Sequence, residues 1–324
     1  MNQRMFRILA AFGLLAAAPL FAQTAKTAAK SAVPMTKDGH PDLQGIWTNA
    51  TLTPLQRPKQ FGEKLVLSAT EAKAFEKEQN KELADSDGAS DSPIIAAAGS
   101  SGTGGYNVLF IDRGNSLARV DGQPRSSLIV DPPDGRLPAR VRVPRPGASP
   151  MSFNTADVKA RPLSERCLIG FGSTSGPPML PVLYNNNYQI VQTPDAIMIL
   201  VEMIHDVRVV RMNGTHPPKD VHLWLGDSIG HWEGDTLVVD TTNFDRRNTF
   251  YNATDEQHVI ERFRRISPDT ILYRATVEDP SFAKPFTMEF PFVAAKGPIY
   301  EYACHEGNYA ERDILGGAAK AAGK

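Results

Sequence analysis

The chain has 324 residues, of which 41% are hydrophobic and 22% are charged, and its formal net charge is −1. This composition excludes a disordered chain, a collagen-like repeat and a small disulfide-rich scaffold. Phosphate binding needs a basic surface, so the near-zero charge gives no reason to expect a nucleic-acid partner.

The first 22 residues have the pattern of a secretory signal peptide. Arg4 and Arg7 precede an apolar run from Ile8 to Phe21, and the small residue Ala22 follows. The run is too short to cross about 30 Å of hydrocarbon, so we expect no stable membrane insertion. The mature protein is therefore predicted to be periplasmic or secreted, with residues 23–37 as a flexible tether.

Residues 38–187 are predicted to form an N-terminal strand, one helix and a long wrapping segment. Ser68 and Glu71 have the spacing of a capping box, and helix-forming residues follow to about Leu83. Residues 85–105 are rich in glycine, serine and alanine, which predicts a mobile loop. Residues 131–187 contain ten of the 25 prolines. Because proline blocks central strands, we expect that stretch to wrap around the fold with few regular elements.

Residues 188–315 have the pattern of an antiparallel β-meander. Short β-branched and aromatic runs recur between turn residues, at residues 196–203, 207–212, 221–225, 236–242, 258–266, 271–277, 286–290 and 299–303. No helical stretch separates these runs, so the sheet must cover itself. We predict a mainly β fold that closes into a lipocalin-like barrel, since closure removes exposed edges, with a β-sandwich as the alternative. Residues 316–324 are predicted to be a disordered tail.

The two cysteines, Cys167 and Cys304, are predicted to form a disulfide. An exported chain reaches an oxidising compartment, where a single pair of cysteines most simply becomes one bond. The loop that it closes is long, and the chain-entropy model gives a stabilisation of about 4–5 kcal/mol. A metal-binding pair and a free catalytic thiol are the alternatives.

The segment from Glu202 to Arg208 places charged groups between two apolar runs. In a strand, Glu202, Asp206 and Arg208 would share one face and His205 would point to the other, unless a bulge brings them together. Charged groups within a strand are costly unless they are paired. Two interpretations remain open: a catalytic group, or a structural ion pair between Glu202 and Arg208.

Residues 226–244 form the most distinctive segment of the chain. Residues 233–235 predict a hairpin turn, with Trp232 packing over it or contacting a substrate. Asp240 ends an apolar strand and Asn243 follows it. These two side chains are predicted either to bind a hydroxylated ligand or to satisfy the backbone amides of the next loop.

Residues 302–309 gather polar groups around Cys304. A disulfide at this cysteine would hold His305 and Glu306 with little freedom, which suits a preorganised acid–base pair. The alternative is a C-terminal plug whose polar groups bond to the proline-rich wrap.

Metal ligation is only weakly indicated. The sequence has no His-Glu-x-x-His and no Cys-x-x-Cys motif. We therefore expect no cofactor. The alternative is a mixed metal site formed by Glu202, His205 and His305.

Several longer motifs resemble those of a family of exported bacterial proteins found in soil and freshwater bacteria. The similarity covers residues 38–315, and its motifs are residues 41–49, 188–192, 202–208, 232–244, 261–263 and 301–308. The resemblance implies a shared periplasmic β-rich domain and no particular reaction. Separately, Gly45-Ile-Trp47 is similar to the first strand of lipocalins, which implies a barrel.

The density of titratable groups among apolar strands predicts a periplasmic enzyme with cofactor-free acid–base chemistry. We expect a lyase, isomerase or hydrolase that acts on a small organic molecule such as a sugar derivative or an aromatic compound. The candidate catalytic residues are His205, His305, Glu306, Asp240 and Glu202, and the candidate substrate-binding residues are Arg208, His222, Trp232, Asn243, Asn308 and Tyr309. The alternatives are a lipocalin-like binding protein for an apolar ligand and an envelope interaction protein whose proline-rich wrap is the contact surface.

Overall fold

The computed structural model describes residues 33–88, 111–143, 157–170, 173–306, 308–321 and 323. The predicted signal peptide, most of the predicted tether and residues 89–105 of the predicted mobile loop lie outside the described residues.

The fold is mainly β, as predicted, and its centre is a closed nine-stranded barrel. The strands in the described part of the chain are β1 (Gly45–Thr48), β2 (Arg119–Val120), β3 (Gln123–Pro124), β4 (Ile129–Asp131), β5 (Asn187–Gln192), β6 (Ala196–Val201), β7 (Val207–Met212), β8 (Asp227–Glu233), β9 (Thr236–Thr242), β10 (His258–Ser267), β11 (Thr270–Glu278) and β12 (Phe286–Ala294). The barrel consists of β1 and β5 to β12, and it closes where β1 pairs with β12. Strand β4 also pairs with β12, while β2 and β3 form a separate small sheet.

The predicted antiparallel meander is interrupted at one place, because β7 and β8 are parallel. Residues 213–226 form the connection that returns the chain to the start of β8, as a parallel pair requires. The predicted strand 221–225 lies in this connection, where Leu223 bonds through its backbone to Asn243 and Asp245 instead of joining the sheet. The predicted strand 299–303 is also irregular chain, which is tied to the β6–β7 turn by a bond from the Tyr302 amide to His205.

The barrel interior is filled with side chains from alternate positions of its strands. Among them, Trp47, Tyr188, Tyr273, Phe263, Phe286, Phe290 and Phe292 are each no more than 2% exposed. Their rings contact one another at centroid distances such as 5.1 Å between Phe263 and Tyr273. Apolar burial of this extent is the main stabilising contribution to the barrel.

One ion pair lies within this apolar interior. Arg208 donates to Glu261 at 2.6 and 3.1 Å, with side-chain exposures of 1% and 0%, and Tyr273 donates to the same carboxylate at 2.8 Å. Burial alone would lower the pKa of Arg208, but the charge and hydrogen bonds of Glu261 raise it. The predicted ion pair of Arg208 is therefore wrong in one respect, because its acidic partner is Glu261 and not Glu202. Glu202 instead accepts bonds from Asn187, at 2.8 Å from the side-chain amide.

Two α-helices flank the barrel in the described part of the chain, α1 (Ala69–Gly88) and α2 (Tyr309–Ala321). The capping box of α1 is confirmed, because the Ser68 hydroxyl accepts from the Glu71 amide at 3.2 Å and donates to its carboxylate at 2.8 Å. Residues 316–321, which were predicted to belong to a disordered tail, instead form the last part of α2. Asn308 caps the start of this helix. No helix in these described ranges is long and apolar enough to span a bilayer.

The predicted disulfide is confirmed. Cys167 and Cys304 are bonded, with their Cα atoms 5.9 Å apart. Their sequence separation of 137 residues means that the bond joins the proline-rich wrap to the C-terminal segment. The wrap itself contains one short 3₁₀ turn, Val158–Ala160, between its described irregular stretches.

Candidate functional site

One end of the barrel, which we call the mouth, is covered by the last part of the proline-rich wrap. The mouth is the end at which residues 202–206, 243–257 and 279–285 connect the strands. The covering segment, residues 173–182, is called the plug. Its Met179 amide donates to the Tyr273 hydroxyl at 3.0 Å, and its Thr174 carbonyl accepts from the Tyr188 hydroxyl at 3.0 Å. These bonds anchor the plug to tyrosines of the barrel interior.

The plug turns sharply at Gly176, which has a φ of 71°. A β carbon at this position would lie 2.5 Å from Met179 Cγ and 3.4 Å from an Arg208 guanidinium nitrogen. Glycine therefore serves both the backbone conformation and the close packing of the plug on the inner ion pair.

A cleft of about 380 Å³, which we call the mouth cleft, separates the plug from the β9–β10 connection. This volume falls within the range of small-molecule sites. Its described lining residues are Leu55, Ile169, Gly170, Ser173, Ser175, Gly176, Pro177, Leu180, Pro181, Val182, Asn248, Thr249, Phe250, Tyr251 and Asn252. None of these side chains is charged. The cleft therefore combines an apolar wall with hydroxyl, phenol and amide groups.

A carboxyl group lies directly behind the plug wall of the mouth cleft. Ser175, which lines the cleft, donates its hydroxyl proton to Asp206 at 2.8 Å. Burial raises the pKa of Asp206, and this effect outweighs the opposing hydrogen bonds from Ser175 and from the Gly170 backbone. A carboxyl group with a raised pKa beside a cleft is typical of a functional site.

The opposite wall of the mouth cleft contains two consecutive residues in the left-handed region. Tyr251 has a φ of 49° and Asn252 a φ of 56°, a conformation that costs free energy in residues other than glycine. The turn is held by Gln257, which accepts from the Phe250 amide at 2.6 Å, and by Arg140, which donates to the Asn252 carbonyl at 3.0 Å. Strain of this kind that is held by surrounding bonds concentrates at binding sites.

A second polar cluster, the outer row, crosses the outside of the barrel near the mouth. Its members, in order of contact, are Arg211, Asp227, His216, Asp240, His258 and Glu278. The two imidazoles reach Asp240 at 3.1 and 3.0 Å through Nε2, while their Nδ1 atoms lie 2.8 Å from Asp227 and 3.2 Å from Glu278. Alternating acidic and imidazole groups therefore satisfy one another along the row.

The outer row shifts the titration of its central members. Hydrogen bonding to Asp240 raises the pKa of His258, and the same contact lowers the pKa of Asp240 against the opposing effect of burial. Both effects stabilise the charged pair. Within the described ranges, no group of three or more His, Cys, Asp and Glu side chains has the arrangement of a metal site.

The predicted catalytic residues do not meet in one place in the described structure. Glu202 is buried against Asn187, and the exposed His205 accepts the Tyr302 amide at 2.8 Å through Nε2. Asp240 belongs to the outer row. His305 and Glu306 are exposed beside the disulfide and do not line the mouth cleft.

The predicted substrate-binding residues are similarly dispersed. Asn243 donates to the backbone carbonyls of Pro218 and Val221 at 2.9 Å each. It therefore bonds to the carbonyls of the preceding loop and not, as predicted, to the backbone amides of the next loop. His222 lies 3.0 Å from a backbone carbonyl through Nδ1, and Trp232 stacks on His40 at 4.6 Å between ring centroids.

Asn308 and Tyr309 lie at the start of α2. Asn308 donates to the Glu165 carbonyl at 2.7 Å, which ties α2 to the wrap, and Tyr309 is 68% exposed. Asn308 also lines a shallow cavity beside the disulfide, which does not include His305 or Glu306 among its described lining residues. Arg208, which was predicted to bind a substrate, is bonded to Glu261 inside the barrel.

The sequence did not indicate Ser175, Tyr251 or the two histidines of the outer row. Ser175 and Tyr251 lie in irregular segments, where no periodic pattern indicates which side chains face a cavity. A signal did exist for Glu261, because it lies two residues from each of the apolar residues Val259 and Phe263 in β10 and therefore shares their inward face.

Comparison of the chain with protein-family models, with curated proteins and with solved structures finds no match. The resemblance to exported bacterial proteins therefore stays a prediction, and the functional argument rests on the geometry of the mouth.

Proposed function

We propose that this protein acts on a small organic molecule in the mouth cleft by cofactor-free proton transfer. The observation that carries the proposal is the Ser175–Asp206 contact of 2.8 Å at the wall of a cleft of about 380 Å³. The reacting part of the molecule is uncharged, because the described lining of the cleft offers no charged side chain to pair with it.

In the proposed step, the ionised Asp206 carboxylate is the base and Ser175 connects it to the cleft. The Ser175 oxygen takes a proton from the bound molecule while its own hydroxyl proton passes to Asp206. Return of a proton to another atom gives an isomerisation, and loss of a leaving group gives an elimination. Tyr251 and Asn252, on the facing wall, are placed to bind an oxygen on which negative charge develops.

The proposal places this chemistry outside the cytoplasm, in the periplasm or beyond it. The Cys167–Cys304 disulfide supports this location, because structural disulfides persist in oxidising compartments. The signal-peptide pattern of the first 22 residues supports it independently.

The test uses 5-nitrobenzisoxazole, a neutral aromatic probe whose ring opens when a base removes its one acidic carbon-bound proton. The nitrogen–oxygen bond then breaks and a coloured phenolate forms, which is followed by absorbance. We expect saturable ring opening that rises with pH through the raised pKa of Asp206, because the carboxylate is the active form. Asp206→Asn and Ser175→Ala are expected to lower the rate about 100-fold, as for loss of a general base.

The matched control is Ser173→Ala. Ser173 also lines the mouth cleft, but its hydroxyl donates to the Pro178 carbonyl at 2.6 Å and has no described carboxylate behind it. This variant should keep the wild-type rate. The proposal fails if the wild type shows no ring opening, or if Ser173→Ala and Ser175→Ala lower the rate equally.

Binding without turnover is the second candidate. The observation in its favour is that none of the described lining residues of the mouth cleft is a histidine, the commonest acid–base residue. Because side chains fill the barrel interior, we assign such binding to the mouth cleft rather than to the inside of the barrel, where lipocalins hold their ligands. A probe that gives saturation-transfer NMR signals but no ring opening would favour this candidate.

A further inference from the structure

A second cavity, which we call the side cavity, adjoins the mouth cleft. Its volume is about 420 Å³, and it shares the wall residues Leu55, Leu180, Pro181 and Val182 with the mouth cleft. Since Leu55, Pro181 and Val182 are only partly buried, they form a low ridge that borders both cavities. A molecule longer than the mouth cleft would cross this ridge.

The side cavity is lined mainly by apolar side chains. Beyond the shared ridge these are Leu52, Pro54, Leu128 and Leu183. The hydroxyls of Thr51 and Thr53 also line it, but each donates to a backbone carbonyl, of Ser116 at 3.1 Å and of Arg125 at 3.3 Å. The cavity is therefore suited to an apolar body rather than to a sugar.

The one charged residue in the described lining of the side cavity is Arg113. Its Nη2 donates to the Gln79 carbonyl at 2.6 Å, and its Nε is buried with no hydrogen-bond partner among the described residues. No described carboxylate forms an ion pair with it. Burial lowers the pKa of Arg113 and outweighs the opposing charge of Glu82, which lies beyond ion-pair distance, because the guanidinium is partly removed from water. A desolvated guanidinium with open donors is a strong site for a carboxylate.

We propose that the side cavity extends the substrate site, and that the molecule bound there is an organic anion with an apolar body. Its carboxylate pairs with Arg113, its body lies along Leu128 and the ridge, and its uncharged far end reaches Ser175 in the mouth cleft. This inference rests on the proposed function for the reacting end. It adds the class of the substrate.

The experiment compares decanoate with 1-decanol, two probes of equal chain length that differ in the charged group, by calorimetric titration of the full chain. We expect decanoate to bind at least tenfold more tightly than 1-decanol, because charge-assisted bonds to a partly buried guanidinium are strong. Arg113→Gln should remove this preference and leave 1-decanol binding unchanged. The retained binding of 1-decanol also shows that the variant is folded.

The matched control is Arg264→Gln, which removes the same charge from an exposed position on the outer face of β10. It should keep the preference for decanoate. Ser175→Ala should keep it too, so that failure of the proton-transfer proposal is separable from failure of this one. Equal affinity for the two probes in the wild type, or a preference that survives Arg113→Gln, would overturn the inference.

Discussion

Two groups of charged residues lie near the mouth, and they differ in how far their side chains are buried. The inner pair, Arg208 and Glu261, is enclosed by the aromatic core, with both side chains at most 1% exposed. The outer row contains the same kinds of groups on the outside of the same strands, where Asp240 and His258 have side chains that are 36% and 28% exposed. Only the strand periodicity separates the two, since alternate residues face opposite sides of the sheet.

The difference in burial determines which of the two clusters can change its charge. Ions inside a protein pay a large desolvation cost, so the inner pair is stable only while both partners stay charged and hydrogen-bonded. The outer row is partly solvated, and it contains His258, whose pKa is raised by its hydrogen bond to Asp240. The inner pair is therefore a fixed part of the fold beneath the plug, whereas the outer row responds to pH and salt.

Breaking the inner pair should destabilise the fold strongly. Glu261→Gln leaves the Arg208 guanidinium buried without a counter-charge, which should lower the free energy of unfolding by about 3–5 kcal/mol. Urea denaturation of the variant and of the wild type measures this change in the free energy of unfolding. The matched control is Glu233→Gln, which breaks an exposed contact of 2.7 Å with Arg262 and should leave the urea midpoint almost unchanged.

A double variant, Arg208→Met with Glu261→Met, separates the cost of one unpaired buried charge from the contribution of the intact pair. Because it removes both charges at once, it should recover most of the stability that Glu261→Gln loses. Equal losses in Glu261→Gln and Glu233→Gln would show that the inner pair is not a special case.

The next effect is the pH dependence of the outer row. The pKa of His258 is raised above its ordinary value of 6.5 in the folded state, so its contribution is complete below pH 6.5 and is lost as pH rises through the folded-state pKa. The pKa of Asp240 is lowered below 3.8, so its contribution is present above that pH and is lost on acidification. The outer row should therefore stabilise the fold most between about pH 3.8 and pH 6.5, the ordinary pKa values of the two groups.

The measurement is urea unfolding of the wild type and of His258→Gln at pH 5.5 and pH 9. After allowance for solvent screening, we expect a difference of about 1 kcal/mol at pH 5.5 and almost none at pH 9. His231→Gln is the control, because its imidazole contacts one described carboxylate, that of Glu233 at 3.3 Å, through a single nitrogen. An equal difference between wild type and His258→Gln at pH 9 would contradict a stabilising role for the protonated imidazole of His258.

Local patterns explain how much of the fold could be predicted from the sequence. Alternating apolar runs indicated β6, β7, β9, β10, β11 and β12, and a capping box indicated α1. Strand β8 was not predicted, because one of its inward positions is Gly230, where a β carbon would lie 2.7 Å from Val210. A strand that needs a small residue for packing does not show an apolar pattern.

The candidate site was less predictable, because its contacts join segments that are distant in the chain. Ser175 and Asp206 are separated by 31 residues, and the segment that carries Ser175 has no periodicity. Arg208 and Glu261 could each be assigned to the barrel interior, but pairing across 53 residues depends on strand order. That order includes the parallel β7–β8 pair, which no local pattern indicated.

The contacts of His258 within the outer row differ in strength, and the difference should be measurable. Hydrogen bonding to Asp240 is the first cause of the raised pKa of His258, and Glu278 contributes less from a more exposed position. Asp240→Asn should therefore lower the pKa of His258, measured by NMR titration of its ring protons, more than Glu278→Gln does. The stability lost in Glu278→Gln should be only a few tenths of a kcal/mol and should vanish in 0.5 M salt, because exposed pairs are screened. If the two variants lower the pKa equally, Asp240 is not the centre of the row, and the contrast with the inner pair would rest on burial alone.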